Sequence, residues 1–355
     1  MCLLELRIER LRCLDAATLE PDPRLNVIAG ANGAGKTTVL EAIYLLGRGR
    51  SFRAPRLSAV IQTGQDRANL FARVQEEGAT EHRVGLAIER SRSEVRVDGS
   101  AGTSADLVGA LPVQLIDPQI HELIQGGPGE RRRFLDWGVF HVKHEFRLAW
   151  PRFRRALAQR NAALRQGLPA NAVGAWDQDL LEAALVVDAS RRAYLDAAVP
   201  LLAETAEQLL DLPASFEFRS GWPRDKALEE ALRDSLERDR AMGSTQVGPH
   251  RAELLVSVDS HPARHRLSRG QQKLCAAALV LGQGRFVRKA MNRELTLLVD
   301  EPAAELDSDH LGRLFDAIQT LGAQVFITAL EPDALGISGE SRVFHVERGE
   351  VGILV

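Results

Sequence analysis

The stretch Leu25-Asn26-Val27-Ile28-Ala29-Gly30-Ala31-Asn32-Gly33-Ala34-Gly35-Lys36-Thr37-Thr38 decides the fold. Its first five residues read as a buried strand, and Val39, Leu40, Ile43 and Leu46 follow at helical spacing, so the order is strand, loop, helix. Between strand and helix, Gly30 to Thr37 fits G-x-x-x-x-G-K-[ST], the phosphate-binding pattern. Glycines let the backbone curl until its N–H groups face an anion, and the helix that follows offers its positive end. On this reading Gly30, Ala31, Asn32, Gly33, Ala34, Gly35 and Thr38 line the phosphates of ATP. Lys36 reaches the β- and γ-phosphates, and Thr37 holds Mg²⁺ through its hydroxyl.

Further along the chain, Leu295-Thr296-Leu297-Leu298-Val299-Asp300-Glu301 is an apolar strand that ends in two carboxylates. That pattern sets an acid beside Mg²⁺ at the strand's carboxyl end. Asp300 is therefore assigned to the metal, directly or through water, and Glu301 to the general base that activates the attacking water. Leu267-Ser268-Arg269-Gly270-Gln271-Gln272-Lys273 precedes a helix rich in Ala and Leu, and it resembles the signature motif of ABC-type ATPases. A serine just before a helix is also an ordinary N-cap, and the two readings are compatible. Ala304-Glu305-Leu306-Asp307 follows the carboxylate pair at the spacing of the D-loop in that superfamily. In such ATPases the signature of one head completes the phosphate site of a second. The resemblance thus assigns Ser268, Gly270, Gln271 and Asp307 to the nucleotide, with Ser268 acting in catalysis, and implies a homodimer closed by ATP. Gln119, two residues beyond Asp117, where the strand Val113 to Ile116 gives way to Asp117-Pro118, is the choice for the Q-loop.

The chain has 355 residues, 45% of them hydrophobic, enough for one large domain or two. A net charge of −3 gives no global attraction to nucleic acid, so any contact with DNA needs a local patch. Three scattered cysteines suggest neither a disulfide framework nor a zinc site. No apolar run approaches the length of a membrane span, and a cytoplasmic protein is expected.

Strand patterns run from residue 3 to 116 and resume at 254, and the stretch between them is dominated by Ala, Leu, Arg and Glu at helical spacing. The expected architecture is α/β: residues 1–120 plus 245–355 form a lobe of mixed sheet and helices, and residues 121–244 form an inserted all-helical lobe. Sustained heptads for a long coiled coil are missing.

With these motifs in order, the chain resembles the RecF family of bacterial recombination mediators, ABC-type ATPases related to Rad50 and SMC heads. Supporting stretches are Gly49-Arg50-Ser51-Phe52-Arg53, Gly127-Pro128 with Arg131-Arg132-Arg133-Phe134-Leu135-Asp136, and Gly248-Pro249-His250-Arg251 shortly before the Ser268 motif. The resemblance implies slow ATP hydrolysis and binding to double-stranded DNA near single-strand gaps. It also implies partnership with RecR and RecO in directing RecA. Three positions depart from pattern: Glu301 where Asp is more usual in the family, Ala304 for the D-loop serine, and Thr328 where transporter ATPases carry a switch histidine. The alternatives are a Rad50- or SMC-type head, a transporter subunit, and a structural clamp that binds ATP with little turnover.

Between Pro128 and Gln166 ten basic residues stand against three acidic ones. Arg131, Arg132, Arg133, Arg152, Arg154 and Arg155 are the expected DNA track, because guanidinium groups pair with phosphates and release counterions. The competing reading is a solvated helix face, or ion pairs to the acidic stretch 225–240. Phe146, Trp150 and Phe153 interleave with these arginines, but their spacing is that of a packed helix.

Overall fold

The computed structural model describes residues 2–76, 80–302, 308–332 and 341–354. The chain forms two compact units, residues 1–120 with 288–355, and residues 121–287.

The first unit begins with β1 (Cys2–Leu11), β2 (Leu14–Leu19), β3 (Leu25–Ala29), α1 (Lys36–Arg48), β4 (Arg67–Gln75), β5 (Glu81–Glu89), β6 (Ser93–Val97), β7 (Ser100–Gly102), α2 (Ser104–Ala110) and β8 (Val113–Ile116). The second unit contains α3 (Glu122–Gln125), α4 (Pro128–Val142), α5 (His144–Arg165), α6 (Ala170–Gly174), α7 (Asp177–Leu210), β9 (Ala214–Arg219), α8 (Leu228–Asp234), α9 (Leu236–Met242), β10 (Glu253–Val258), β11 (His261–Pro262), α10 (Ala263–Arg266) and most of α11 (Arg269–Met291). The chain then completes the first unit with β12 (Thr296–Val299), α12 (Ser308–Leu321), β13 (Gln324–Ala329), β14 (Arg342–Glu347) and β15 (Glu350–Leu354).

Two six-stranded sheets build the first unit. One is antiparallel, in the order β2-β1-β4-β5-β6-β7. Its strands alternate: Ala68, Leu70, Ala72 and Val74 of β4 and Val84, Leu86 and Ile88 of β5 are buried while their neighbours face outward, the period of two that a half-buried strand requires. The other has the order β15-β14-β3-β13-β12-β8 and is parallel except for the β14–β15 hairpin. Its central strands are buried along their whole length, as parallel strands covered on both faces are. Helix α1 packs against strands of both sheets and is buried almost all round, with Val39, Leu40, Ile43, Leu45 and Leu46 in the common core. Each such side chain contributes about 1.5–3 kcal/mol on burial. The core therefore grips the helix that the phosphate-binding loop opens onto.

The second unit departs from expectation in two ways. The expected boundary at 244/245 lies instead at 287/288, and the insert is not all-helical. β10 runs antiparallel to β9 from Glu253↔Arg219 to Val258↔Ala214, which puts strands in the insert and holds residues 253–258 to it. α11 is held to the same unit by Gln283, whose Nε2 donates to the Phe134 carbonyl at 3.0 Å, and by Arg285, which pairs with Glu204 at 2.9 Å. The acidic stretch 225–242 is two short helices, broken at Ser235. Phe146 and Phe153 are buried, and Trp150 stacks between them at 5.6 and 5.8 Å, so these aromatics are packing groups.

Candidate functional site

Strand order builds the site. The loop Gly30–Gly35 leaves the carboxyl end of β3, Asp300 and Glu301 leave that of β12, and β13 lies between the two strands. Carboxyl ends of parallel strands are where open α/β sheets present ligand sites. Gly30, Gly33 and Gly35 have φ of 152°, 78° and 123°, so the loop needs residues without a Cβ. A Cβ on Gly30 would lie 2.2 Å from the Val346 carbonyl oxygen of β14, whereas one on Gly33 would meet nothing within 4 Å. The loop is thus pinned to the sheet at one end and open at its tip. Helix α1 starts from Gly35 with no side-chain cap and no acidic residue in its first turn, an N-terminus suited to an anion.

Lys36 is buried, and its Nζ donates to the carbonyls of Gly30 at 2.8 Å and Ala31 at 3.1 Å. Glu301 Oε1 stands 3.8 Å from the same ammonium. Thr37 Oγ1 donates to Asp300 Oδ1 at 3.1 Å. That oxygen also accepts from Thr328 Oγ1 at 2.7 Å. Burial pushes the Asp300 carboxyl above its usual range, against the two hydroxyl bonds that favour the ionised form. A hydroxyl and a carboxylate held together are the hard oxygen donors that Mg²⁺ takes from protein, so the residues fit the ion. Lys36, Thr37, Asp300 and Glu301, four residues named from the sequence, therefore meet in one place. Thr38 follows in α1, buried, with its N–H on the Gly35 carbonyl at 2.9 Å. Gln119 is exposed in the turn after β8. Asp307 and Ala304 lie outside the described residues.

Sequence reasoning missed a charge cluster behind the loop. Glu41 of α1 is fully buried and takes both Nε and Nη2 of Arg12 at 2.8 Å, the hydroxyl of Ser51, and Arg53 Nη1 at 3.5 Å. This carboxylate folds Gly49-Arg50-Ser51-Phe52-Arg53 onto the helix, and the Arg53 charge pulls on Asp300 in the sense opposite to burial. The signal was a glutamate inside the otherwise apolar run Val39 to Leu46.

In the second unit, Ser268 is exposed and caps α11. Its Oγ accepts the Gln271 N–H at 3.3 Å while Gln271 Oε1 accepts the Ser268 N–H at 3.0 Å, a reciprocal capping box. Gly270 is exposed, with open space where a Cβ would stand. The capping bonds fix the serine's orientation at a free helix end.

The arginine track needs correction at Arg131. This side chain is buried, pairs with Glu253 at 2.8 Å, and donates to the carbonyls of Leu123, Ile124 and Gly126. All three guanidinium nitrogens donate inside the unit, so Arg131 is a structural clasp and leaves the track. Arg132 donates to the Ala252 carbonyl at 2.7 Å, and burial lowers its pKa. Arg133 pairs with Glu130, and Arg152 with Asp179 and Glu182. Arg154 and Arg155 are exposed. Gly248-Pro249-His250-Arg251 is a corner. Arg191 donates to the Pro249 carbonyl at 2.7 Å, His250 Nε2 meets the Thr245 carbonyl at 2.9 Å, and burial pushes the imidazole down to about 4.

Comparison with known proteins agrees with this fold. Residues 2–351 match the model of the RecF/RecN/SMC N terminal domain. A DNA replication and repair protein RecF from Stutzerimonas stutzeri (strain A1501) is 44% identical, with 99% of this chain and 97% of that protein aligned. The corresponding protein of Thioalkalivibrio sulfidiphilus (strain HL-EbGR7) is 41% identical, with 99% of each aligned. A solved structure of the recombination mediator protein RecF with ATP superposes with a TM-score of 0.90 at 24% identity, covering 100% of this chain and 98% of that one. An Smc head bound to the C-terminal winged-helix domain of ScpA gives 0.61 at 16%, covering 100% and 98%. The fold is that of an ABC ATPase head. No helix among the described residues is long and apolar enough to cross a membrane. By full-length identity to its relatives and by the match over residues 2–351, the chain belongs to the RecF family within the RecF/RecN/SMC group.

Proposed function

We propose that this chain is an ATP-dependent DNA-binding protein of recombinational repair, whose ATP hydrolysis is weak and serves as a switch. ATP closes a homodimer on duplex DNA next to a single-strand gap and hydrolysis releases it. With RecO and RecR as partners, the protein helps to load the RecA recombinase. The observation that carries the reading is the convergence of Lys36, Thr37, Asp300 and Glu301 at the carboxyl edge of one sheet. The names of the relatives support the repair setting.

In this reading the backbone N–H groups of residues 30–38 and the Lys36 ammonium take the phosphates. Bound Mg²⁺, held by Thr37 and Asp300, supplies charge neutralisation at the phosphate oxygens. Glu301 withdraws a proton from the attacking water, and Lys36 beside it offsets the charge that builds on the phosphate. Ser268 and the α11 N-terminus present donors to the nucleotide of a second copy, so they touch the γ-phosphate only when the dimer is closed, as a ligand-driven shift requires.

The test is binding of a gapped duplex by the purified protein without nucleotide, with ADP, and with ATP and Mg²⁺. Retention is expected with ATP and loss with ADP. Arg154→Ala with Arg155→Ala is expected to weaken binding and to lower the slope of log affinity against log salt by about two, roughly one per phosphate contact. Equal binding in all nucleotide states would count against the switch, and an unchanged salt slope would move the track elsewhere.

A further inference from the structure

Among the described residues, the hydroxyl of Thr328 is a buried polar group at the carboxyl edge to which the roles above give no use. Thr328 is fully buried near the end of β13, the strand that separates the loop-bearing β3 from the carboxylate-bearing β12. Its Oγ1 donates to Asp300 Oδ1 at 2.7 Å and accepts the N–H of Glu301 at 2.8 Å. A hydroxyl has a single proton to give, and here Asp300 takes it. Thr328 therefore cannot also donate to a phosphate oxygen while these bonds stand.

Glu301 itself has φ of 48°, left-handed backbone that an L residue adopts only at a cost. Such a conformation persists where its surroundings over-determine it. The Glu301 N–H held by Thr328 is one such determinant, and it sits on the residue whose carboxylate lies 3.8 Å from Lys36.

We propose that Thr328 is a positioning residue: its hydroxyl couples the metal-side carboxylate of Asp300 to the backbone of Glu301, so that one bridge sets the place of both acids. Thr328, at the position where transporter ATPases carry a switch histidine, then acts in this chain as a tether rather than as a contact to the γ-phosphate. The inference deepens the reading of the site as an ATP hydrolase and rests on it.

The variant Thr328→Val keeps the side-chain shape and removes both bonds. Two readouts are expected to move. The Mg²⁺ concentration that half-saturates binding of a fluorescent ATP analogue rises on the order of tenfold, while binding without Mg²⁺ stays as in wild type. The kcat for phosphate release falls on the order of tenfold or more, with KM changed less. Thr328→Ser restores the hydroxyl on a smaller side chain, and both readouts return towards wild type. The proposal is overturned if Thr328→Val keeps the wild-type Mg²⁺ requirement, or if Thr328→Ser is as impaired as Thr328→Val, since the lost methyl packing would then be responsible. A wild-type protein without phosphate release would overturn the hydrolase reading instead, and the Mg²⁺ titration would still decide for or against the bridge.

Discussion

Replacing Glu301 with glutamine is expected to lower phosphate release by about 10²- to 10⁴-fold, the contribution of a positioned general base, while ATP remains bound. The substitution keeps the size of the side chain and removes its capacity to take a proton. Nucleotide affinity should change little, because the anion is held elsewhere: Lys36 is anchored on the Gly30 and Ala31 carbonyls, and Thr37 on Asp300. The variant should therefore accumulate in the ATP-bound form and stay on DNA longer than wild type. Single-turnover phosphate release with a parallel measurement of bound ATP checks this. A rate within a fewfold of wild type would remove Glu301 from the role of base. The alternative of a clamp with little turnover predicts that wild type and variant release phosphate equally slowly.

The second large effect concerns stability. Arg160 of α5 is fully buried; its Nε donates to Asp177 at 2.8 Å, and its Nη1 donates to Asp239 at 2.7 Å and to Thr245 Oγ1 at 2.8 Å. Asp239 is buried too, and its other oxygen accepts the Gln246 N–H at 2.9 Å. The node thus ties α5, the start of α7, α9 and the segment leading to the Gly248–Arg251 corner. Removing the guanidinium leaves Asp239 as a buried charge without its counter-ion. Arg160→Met is expected to cost about 3–5 kcal/mol and to lower the urea midpoint accordingly. Arg160→Met with Asp239→Leu should regain much of that loss, because a buried ion pair replaced by apolar groups of similar size is often neutral. Urea melts of the three proteins decide the point. A double variant no more stable than the single one would show that the hydrogen bonds to Thr245 and Gln246, rather than the unpaired charge, dominate.

Local signals were legible where one element carries them. β3, β8 and β12 read correctly as apolar runs, and the strand-loop-helix order around Gly30 to Thr37 located the site. The four side chains that meet there were all named in advance because each belongs to a motif with a physical reason for its residue type. Thr328 was noticed only for what it is not, a histidine, since nothing in one sequence says that β13 lies between β3 and β12. The arginine cluster shows the same limit. Ten basic residues in a short stretch report charge, but the partner that buries Arg131 is Glu253, 122 residues away. Long-range pairing also explains part of the misplaced boundary. Ala214 to Arg219 alternates with period two, a strand signal in itself, yet it stands inside a helical stretch, and its partner β10 lay in the half assigned to the other lobe. Leu14 to Leu19 escaped because Asp15, Ala16 and Ala17 dilute its strand character, which pairing with β1 overrides.

The central claim is that ATP, held by one copy and met by the Ser268 helix end of another, drives association. Sedimentation of the purified protein without nucleotide, with ADP, and with ATP and Mg²⁺, alongside Ser268→Arg, tests it most directly. A dimer that forms only with ATP and is lost in Ser268→Arg is the predicted result. A monomer in every condition, with ATP shown to be bound, would contradict the claim.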